Sequence, residues 1–379
     1  MKKRMKYLLF FAVIACLLGL GVISACTQQG DTGTTNDQST QAGDTQGATT
    51  QTVTDDAGRV VTFPAADQLS KIYYTGASGQ IFCFSLAPEL CAGTGIQFSD
   101  TDLQYLPAGT GDLPDLGTVS GGKQLNPEAI LAAGIQVIFS VTMSTPGDTD
   151  VSDANDLQSQ TGVPVVILDG SLDKTADTYR KLGTMLGKQD AAEQLASYSE
   201  NALQAVSDAV ASVPDSEKVT LYYAEGSDGL QTEPVDSSHA EAFALAGAVN
   251  VADVAVTSGQ GMSPVSLEQV LLWNPDVIIA WDATIRGGAS DLIKTDPNWA
   301  TIKAVQDGKV YTMPNTPFAW CDRPPAANRI LGIQWLAHTL YPSYYNIDMV
   351  QTTKDFYKLF YHCDLTDDQA KAFLGNSIS

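Results

Sequence analysis

DAAEQLASYSENALQAVSDAVASV, residues 190–213, sets Ala191, Leu195, Tyr198, Ala202, Leu203, Val206 and Val210 at helical spacing and stops at Pro214. At 1.5 Å per residue such a helix extends about 35 Å, the width of a small domain. What flanks it is of another kind. Upstream, residues 71–75, 91–94, 135–141 and 163–168 read as short buried strands separated by helical stretches. Downstream, residues 219–223 begin a second set with the same rhythm. Short buried strands alternating with helices indicate parallel α/β layers. The expected fold is therefore α/β: two Rossmann-like lobes, residues 53–188 and 215–379, joined by one long helix at 189–214. Asp56-Ala57-Gly58-Arg59 has the turn chemistry of a hairpin, between Thr54 and an apolar run at 60–63.

An internal echo supports two related halves. Leu125-Asn126-Pro127-Glu128-Ala129-Ile130-Leu131 precedes the strand at Ile135-Gln136-Val137-Ile138-Phe139. Val265-Ser266-Leu267-Glu268-Gln269-Val270-Leu271 precedes Pro275-Asp276-Val277-Ile278-Ile279. Asn126 and Ser266 are natural N-caps, and Pro127 suits a first helical position. Glu128 and Glu268 then fall in the first turn, where the helix dipole favours negative charge.

The N-terminus bears on location. Lys2, Lys3, Arg4 and Lys6 precede an apolar run at 7–23 that ends on Ser24 and Ala25. Ile23-Ser24-Ala25-Cys26 resembles the lipobox of bacterial lipoproteins, which implies a signal peptide at 1–25 and a lipid on the Cys26 thiol. An uncleaved membrane helix is the other reading, but no basic stop-transfer flank follows. Residues 27–52 hold no aromatic side chain and are rich in Gly, Thr, Gln, Asp and Ser, so 26–52 is expected to be a flexible tether. Loss of the four basic leader residues would take the formal charge from −22 to −26. So acidic a surface argues against nucleic acid as a partner. Cys83, Cys91, Cys321 and Cys363 would remain, an even number that outside the cytoplasm allows two disulfides in three connectivities. Cys83 and Cys91 are near enough in sequence to pair, which would leave Cys321 with Cys363. No CxxC spacing suggests a zinc site.

The order of motifs along both halves resembles substrate-binding proteins of ABC importers for ferric siderophores, haem and cobalamin. They are Thr54-Asp55-Asp56-Ala57-Gly58-Arg59, the two capped helices, Leu245-Ala246-Gly247-Ala248-Val249-Asn250-Val251, Trp273-Asn274-Pro275-Asp276, Ala304-Val305-Gln306-Asp307-Gly308-Lys309-Val310-Tyr311 and Asp322-Arg323-Pro324-Pro325. Gly134-Ile135-Gln136 departs from the usual Lys-Pro-Asp, and the four cysteines are not family hallmarks. The resemblance implies a monomeric receptor, not an enzyme and without a cofactor, which hands a small metal chelate to a dimeric permease with its ATPase subunits. It ranks an iron(III)-siderophore first as ligand, then haem or cobalamin, then an oxyanion such as molybdate. It also implies that Glu128 and Glu268 dock on permease arginines.

Ligands of open α/β sheets sit beyond the carboxyl ends of the strands. That rule nominates Tyr74, Thr75, Ser78, Gln80, Gln97, Thr142, Met143 and Ser144 in the first half. In the second it nominates Tyr223, Glu225, Trp281, Asp282, Arg286, Phe318, Trp320, Asp322 and Arg323. Aromatic rings could stack on a chelate, and an arginine could grip an anionic group. Strand packing would account equally for Tyr74 and Tyr223, and a structural ion-pair cluster for Arg323 beside Asp322 and Arg329. His239 could ligate haem iron, but one histidine before a helix is more often a cap or a surface residue, and no metal site is expected. Enzyme readings find little support: no Gly-x-Ser-x-Gly elbow or Walker sequence is present, and histidine occurs only at 239, 338 and 362.

Overall fold

The computed structural model describes residues 49–118, 125–257, 261–281 and 288–377. The leader, Cys26, most of the tether, Asp282 and Arg286 lie outside them. The described chain opens with an antiparallel hairpin, β1 (Thr50–Thr54) and β2 (Val60–Pro64). Its turn needs Gly58, which has φ 78°. The Asp55 carboxylate accepts from the backbone N–H groups of Ala57, Arg59 and Ile167, and Asp56 accepts from Asp169. Two carboxylates thus close the turn and fasten the hairpin to a strand more than a hundred residues away.

The first sheet is parallel, in the order β3 (Ile72–Tyr74), β4 (Val137–Thr142), β5 (Val165–Asp169). The second is also parallel. Its strands are β6 (Thr220–Ala224), β8 (Val249–Asn250), β10 (Val277–Ala280) and β11 (Val310–Thr312), in the order β11-β10-β6-β8. A short antiparallel pair, β7 (Gln231–Thr232) with β9 (Ser263–Pro264), stands beside β6. The strand expected at 91–94 is only two bridges, Ile72 to Cys91 and Thr94 to Asp115. Buried Val, Ile, Leu and Phe side chains fill both sheets, as parallel strands covered on both faces require.

The long helix is present as Gln189–Ala211. It buries Ala192, Leu195, Ala196, Ser199, Ala202 and Val206 along one stripe. The helix Thr175–Leu186 packs tightly on it at Gly183, where an added Cβ would come within 2.3 Å of the Ala192 methyl. Both echo helices form as read. In Pro127–Ala133 the Asn126 side chain accepts from Ala129 N–H at 3.0 Å, and in Leu267–Trp273 Ser266 accepts from Gln269 N–H at 3.2 Å. Each ends on a left-handed residue, Gly134 and Asn274.

The last helices tie the molecule together. Arg329–Leu340 is buried on almost every face. Phe356 and Phe360 of Met349–Tyr361 stack at 4.2 Å, and both pack on Tyr198 of the long helix. Phe360 also meets Tyr179, and His362 Nε2 lies 3.0 Å from the Ser85 carbonyl of the first half. Burying each such ring contributes about 1.5–3 kcal/mol, so this C-terminal layer carries much of the shared core.

The cysteines correct an expectation. All four are free thiols. Cys83 and Cys91 are neighbours, but the Cys83 thiol donates to the Ala87 carbonyl and the Cys91 thiol to that of Gly93. Cys321 instead lies on the Gly332 carbonyl and Cys363 on that of Gln104, so these two thiols serve different neighbourhoods and do not pair.

Candidate functional site

The two sheets end in different chemistry. After β3 the chain turns through Thr75 and Gly76 into the ten-residue helix Ala77–Leu86. Gly76 is its extended N-cap, no side chain caps it, and its first turn has no acidic residue. N–H groups of a first helical turn have no intrahelical acceptor, and together with the helix dipole they favour an anion. Hydroxyl groups surround this terminus. Thr75 Oγ1 donates to Ser140 Oγ at 3.3 Å, Thr118 Oγ1 donates to the Thr75 carbonyl at 3.2 Å, and Ser78 is nearly buried beside them in the first turn. Met143 follows β4 directly and is half-buried.

Other first-half nominees have structural duties. Tyr74 is fully buried with its ring 5.1 Å from Phe139, and burial pushes its hydroxyl well above the usual range. Gln80 accepts from Thr94 Oγ1 at 2.9 Å and donates to the Tyr73 hydroxyl, which in turn donates to the Gly117 carbonyl. Gln97 is exposed.

The carboxyl ends of the second sheet carry a buried ionic network. Glu225 follows β6 and Trp281 follows β10. Arg323 Nε donates to Glu225 Oε1 at 2.7 Å, its Nη2 donates to Glu233 Oε1 at 2.5 Å, and Asp322 Oδ2 lies 3.4 Å from Nε. The guanidinium also sits 5.0 Å from the Trp281 ring centroid, while Trp281 Nε1 donates to Asn315 at 3.2 Å. Glu233 accepts further from Met262 N–H and the Ser237 hydroxyl. His239 Nδ1 lies 2.5 Å from Asp322 Oδ1. Burial, only partly offset by Arg323, pushes the Glu225 carboxyl up to about 8. Burial opposes the charge of Arg323, but Asp322 and Glu225 outweigh it and hold the guanidinium more firmly protonated.

Arg323 therefore belongs to the ion-pair cluster that its neighbours in sequence allowed. Its partner Glu233 escaped the sequence reading because Gln231-Thr232-Glu233-Pro234 has no motif; only the β7–β9 pairing brings it to β6. Two aromatic expectations need correction. Trp320 is 1% exposed, packed edge-on against Trp335, with Nε1 donating to Tyr357 at 3.3 Å. Tyr223 is fully buried against Phe243. Apolar surface is covered most completely by large rings, so both joined the core instead of presenting a face to a ligand. Phe318 is buried too, between Phe98 and Tyr361. Glu128 and Glu268 are both exposed in their first turns, and backbone and Ser266 hydrogen bonds hold Glu268 below the usual carboxylate range.

With two parallel α/β sheets, a long connecting helix and polar strand ends, the chain belongs to the periplasmic binding protein family, whose description matches residues 107–317, more than half its length. These are binding proteins of ABC transporters and not enzymes. In structure it is similar to an ABC transporter solute binding protein from Sulfurospirillum deleyianum, at 31% identity and a TM-score of 0.77, over 85% of this chain and 98% of that one. In sequence it is 39% identical over 126 residues to the molybdate-binding protein MolA of Haemophilus influenzae, over 33% of this chain and 34% of that protein. It is 28% identical over 145 residues to the Fe(3+)-citrate-binding protein YfmC of Bacillus subtilis, over 38% of this chain and 43% of that protein. The chain thus matches about a third to two fifths of the length of these curated relatives.

Proposed function

We propose that this protein is a lipid-anchored extracytoplasmic receptor that captures a compact, anionic, metal-containing solute and delivers it to the permease of an ABC importer. The lobes are residues 53–188 and 215–379, the helix region 189–214 joins them, and the lipid is on Cys26. One observation carries the ligand class: the uncapped, acid-free N-terminus of Ala77–Leu86 among the hydroxyls of Thr75, Ser78 and Thr118 at the strand ends. Such a terminus favours an anion by about 0.3–1 kcal/mol, and by up to about 2 in partly buried geometry. Haem and cobalamin lose support because the rings nominated for stacking, Tyr74, Tyr223, Trp281, Phe318 and Trp320, are all buried. A metal oxyanion such as molybdate becomes the first reading, in line with the similarity to a molybdate-binding protein. A ferric chelate is the second, favoured by the similarity to a ferric-citrate-binding protein. Glu128 and Glu268 then orient the receptor on a two-fold permease.

Calorimetric titration of the full chain in detergent with molybdate, tungstate, ferric citrate and haemin tests this. Saturable binding of molybdate and tungstate at one site per chain is expected. Binding of haemin alone would overturn the compact-anion reading, and binding of ferric citrate alone would select the second one.

A further inference from the structure

We propose that Glu233, His239 and Asp322 hold a divalent transition-metal cation at the carboxyl ends of the second sheet. This goes beyond the cargo reading and does not depend on it. A ligand atom from each of the three lies within 4.8 Å of the other two. Glu233 and Asp322 are fully buried and His239 is 6% exposed, so bulk water does not satisfy them. One imidazole with two carboxylates is a donor set suited to zinc, manganese or ferrous iron. The 2.5 Å contact between His239 Nδ1 and Asp322 Oδ1 holds two of the donor groups side by side, and a bound cation would take the place of the proton they share.

Two further observations favour a cation there. Asp322 Oδ2 and Glu225 Oε2 are buried without a hydrogen-bond partner among the described residues, and both carboxylates flank Arg323 within the cluster. Acidic groups also outnumber guanidiniums among the described residues: Arg323 faces Glu225, Glu233 and Asp322, while the neighbouring Arg329 is paired with Glu241. An excess of buried carboxyl groups favours a bound cation. Arg323 can stay in place, because it engages Glu233 through Oε1 while, among the described residues, Oε2 accepts from Ser237.

The test uses the full chain in detergent, stripped with EDTA and then given zinc, manganese or cobalt(II) chloride in turn. Native mass spectrometry should find one zinc per chain. The thermal midpoint should rise by several degrees at a hundredfold excess over Kd. Cobalt(II) should show visible absorption without the near-ultraviolet band of a thiolate ligand. His239→Gln and Glu233→Gln, checked for folding by circular dichroism, should each weaken zinc at least tenfold. Failure of the unmutated chain to take up stoichiometric zinc, manganese or cobalt would overturn the proposal. So would a cobalt–thiolate spectrum, or folded variants that bind zinc as tightly as the parent.

Discussion

The carboxyl ends of the two sheets face the same structural problem and solve it in opposite ways. Beyond β3 of the first sheet the polar groups are neutral, namely hydroxyls of Thr75, Ser78 and Thr118 and the N–H groups of an uncapped helix, while Asp169 at the end of β5 is tied to Ser171. Beyond the second they are charged and engage one another, with Arg323 held between Glu225, Glu233 and Asp322. Thr75 and Thr118 already donate to Ser140 and to the Thr75 carbonyl, so it is Ser78 and the helix N–H groups that keep capacity for an incoming anion, whereas an arginine saturated by carboxylates has little left to offer it. A buried network of this kind is costly to disturb, since removal of one partner leaves the others uncompensated. The end of the first sheet is thus the better candidate for gripping an anion, and the end of the second holds a network that is already self-paired.

The largest expected effect breaks the second region. Arg323→Ala should destabilise the protein by about 3–5 kcal/mol, because buried carboxylates lose their cation. Urea unfolding followed by fluorescence measures it, and a cost below about 1 kcal/mol would mean that the network is solvated. Substitution in the first region should do the reverse. Ser78→Asp should leave the unfolding midpoint nearly unchanged, since a carboxylate suits a helix N-terminus. Molybdate binding should fall about tenfold to a hundredfold, as a hydrogen bond to a charged group of about 1.5–3 kcal/mol is lost and a like charge is gained. Undiminished binding by calorimetry would remove this helix end from the site.

Smaller effects probe the matched helices on which both halves are built. Asn126→Ala and Ser266→Ala should each cost about 1 kcal/mol by denaturant titration, the usual value of an N-cap. A marked inequality between them would show that the echo is one of sequence more than of energetics. Smallest in stability is the pair Glu128→Ala with Glu268→Ala, whose dipole terms are a few tenths of a kcal/mol each at exposed positions. Uptake of the cargo by whole cells should nonetheless be abolished in the double variant and intermediate in each single one. Transport at the parental rate would leave the dipole as the whole explanation for these two residues.

Local patterns were legible from residue order because their causes are local. Apolar spacing and Pro214 bound the connecting helix to within three residues at each end. Asn126 and Ser266 announce their helices because a cap acts on N–H groups three residues away. The turn at Asp55–Arg59 follows from Gly58 and from a carboxylate that bonds its own near neighbours. The parallel layers follow from the alternation of such segments, while the family was implied by the resemblance of the motifs in their order along both halves. Tertiary structure alone decided which polar and aromatic side chains are available at the strand ends. Trp320 sits in a proline-rich loop, yet packing against Trp335 and Tyr357 took it into the core. Glu233 meets Arg323 across ninety residues, by way of a two-residue strand pair with no signature. Cys363 faces Gln104 and not Cys321 for the same reason. Burial and charge pairing depend on what arrives from distant segments, and periodicity along one segment carries no record of that.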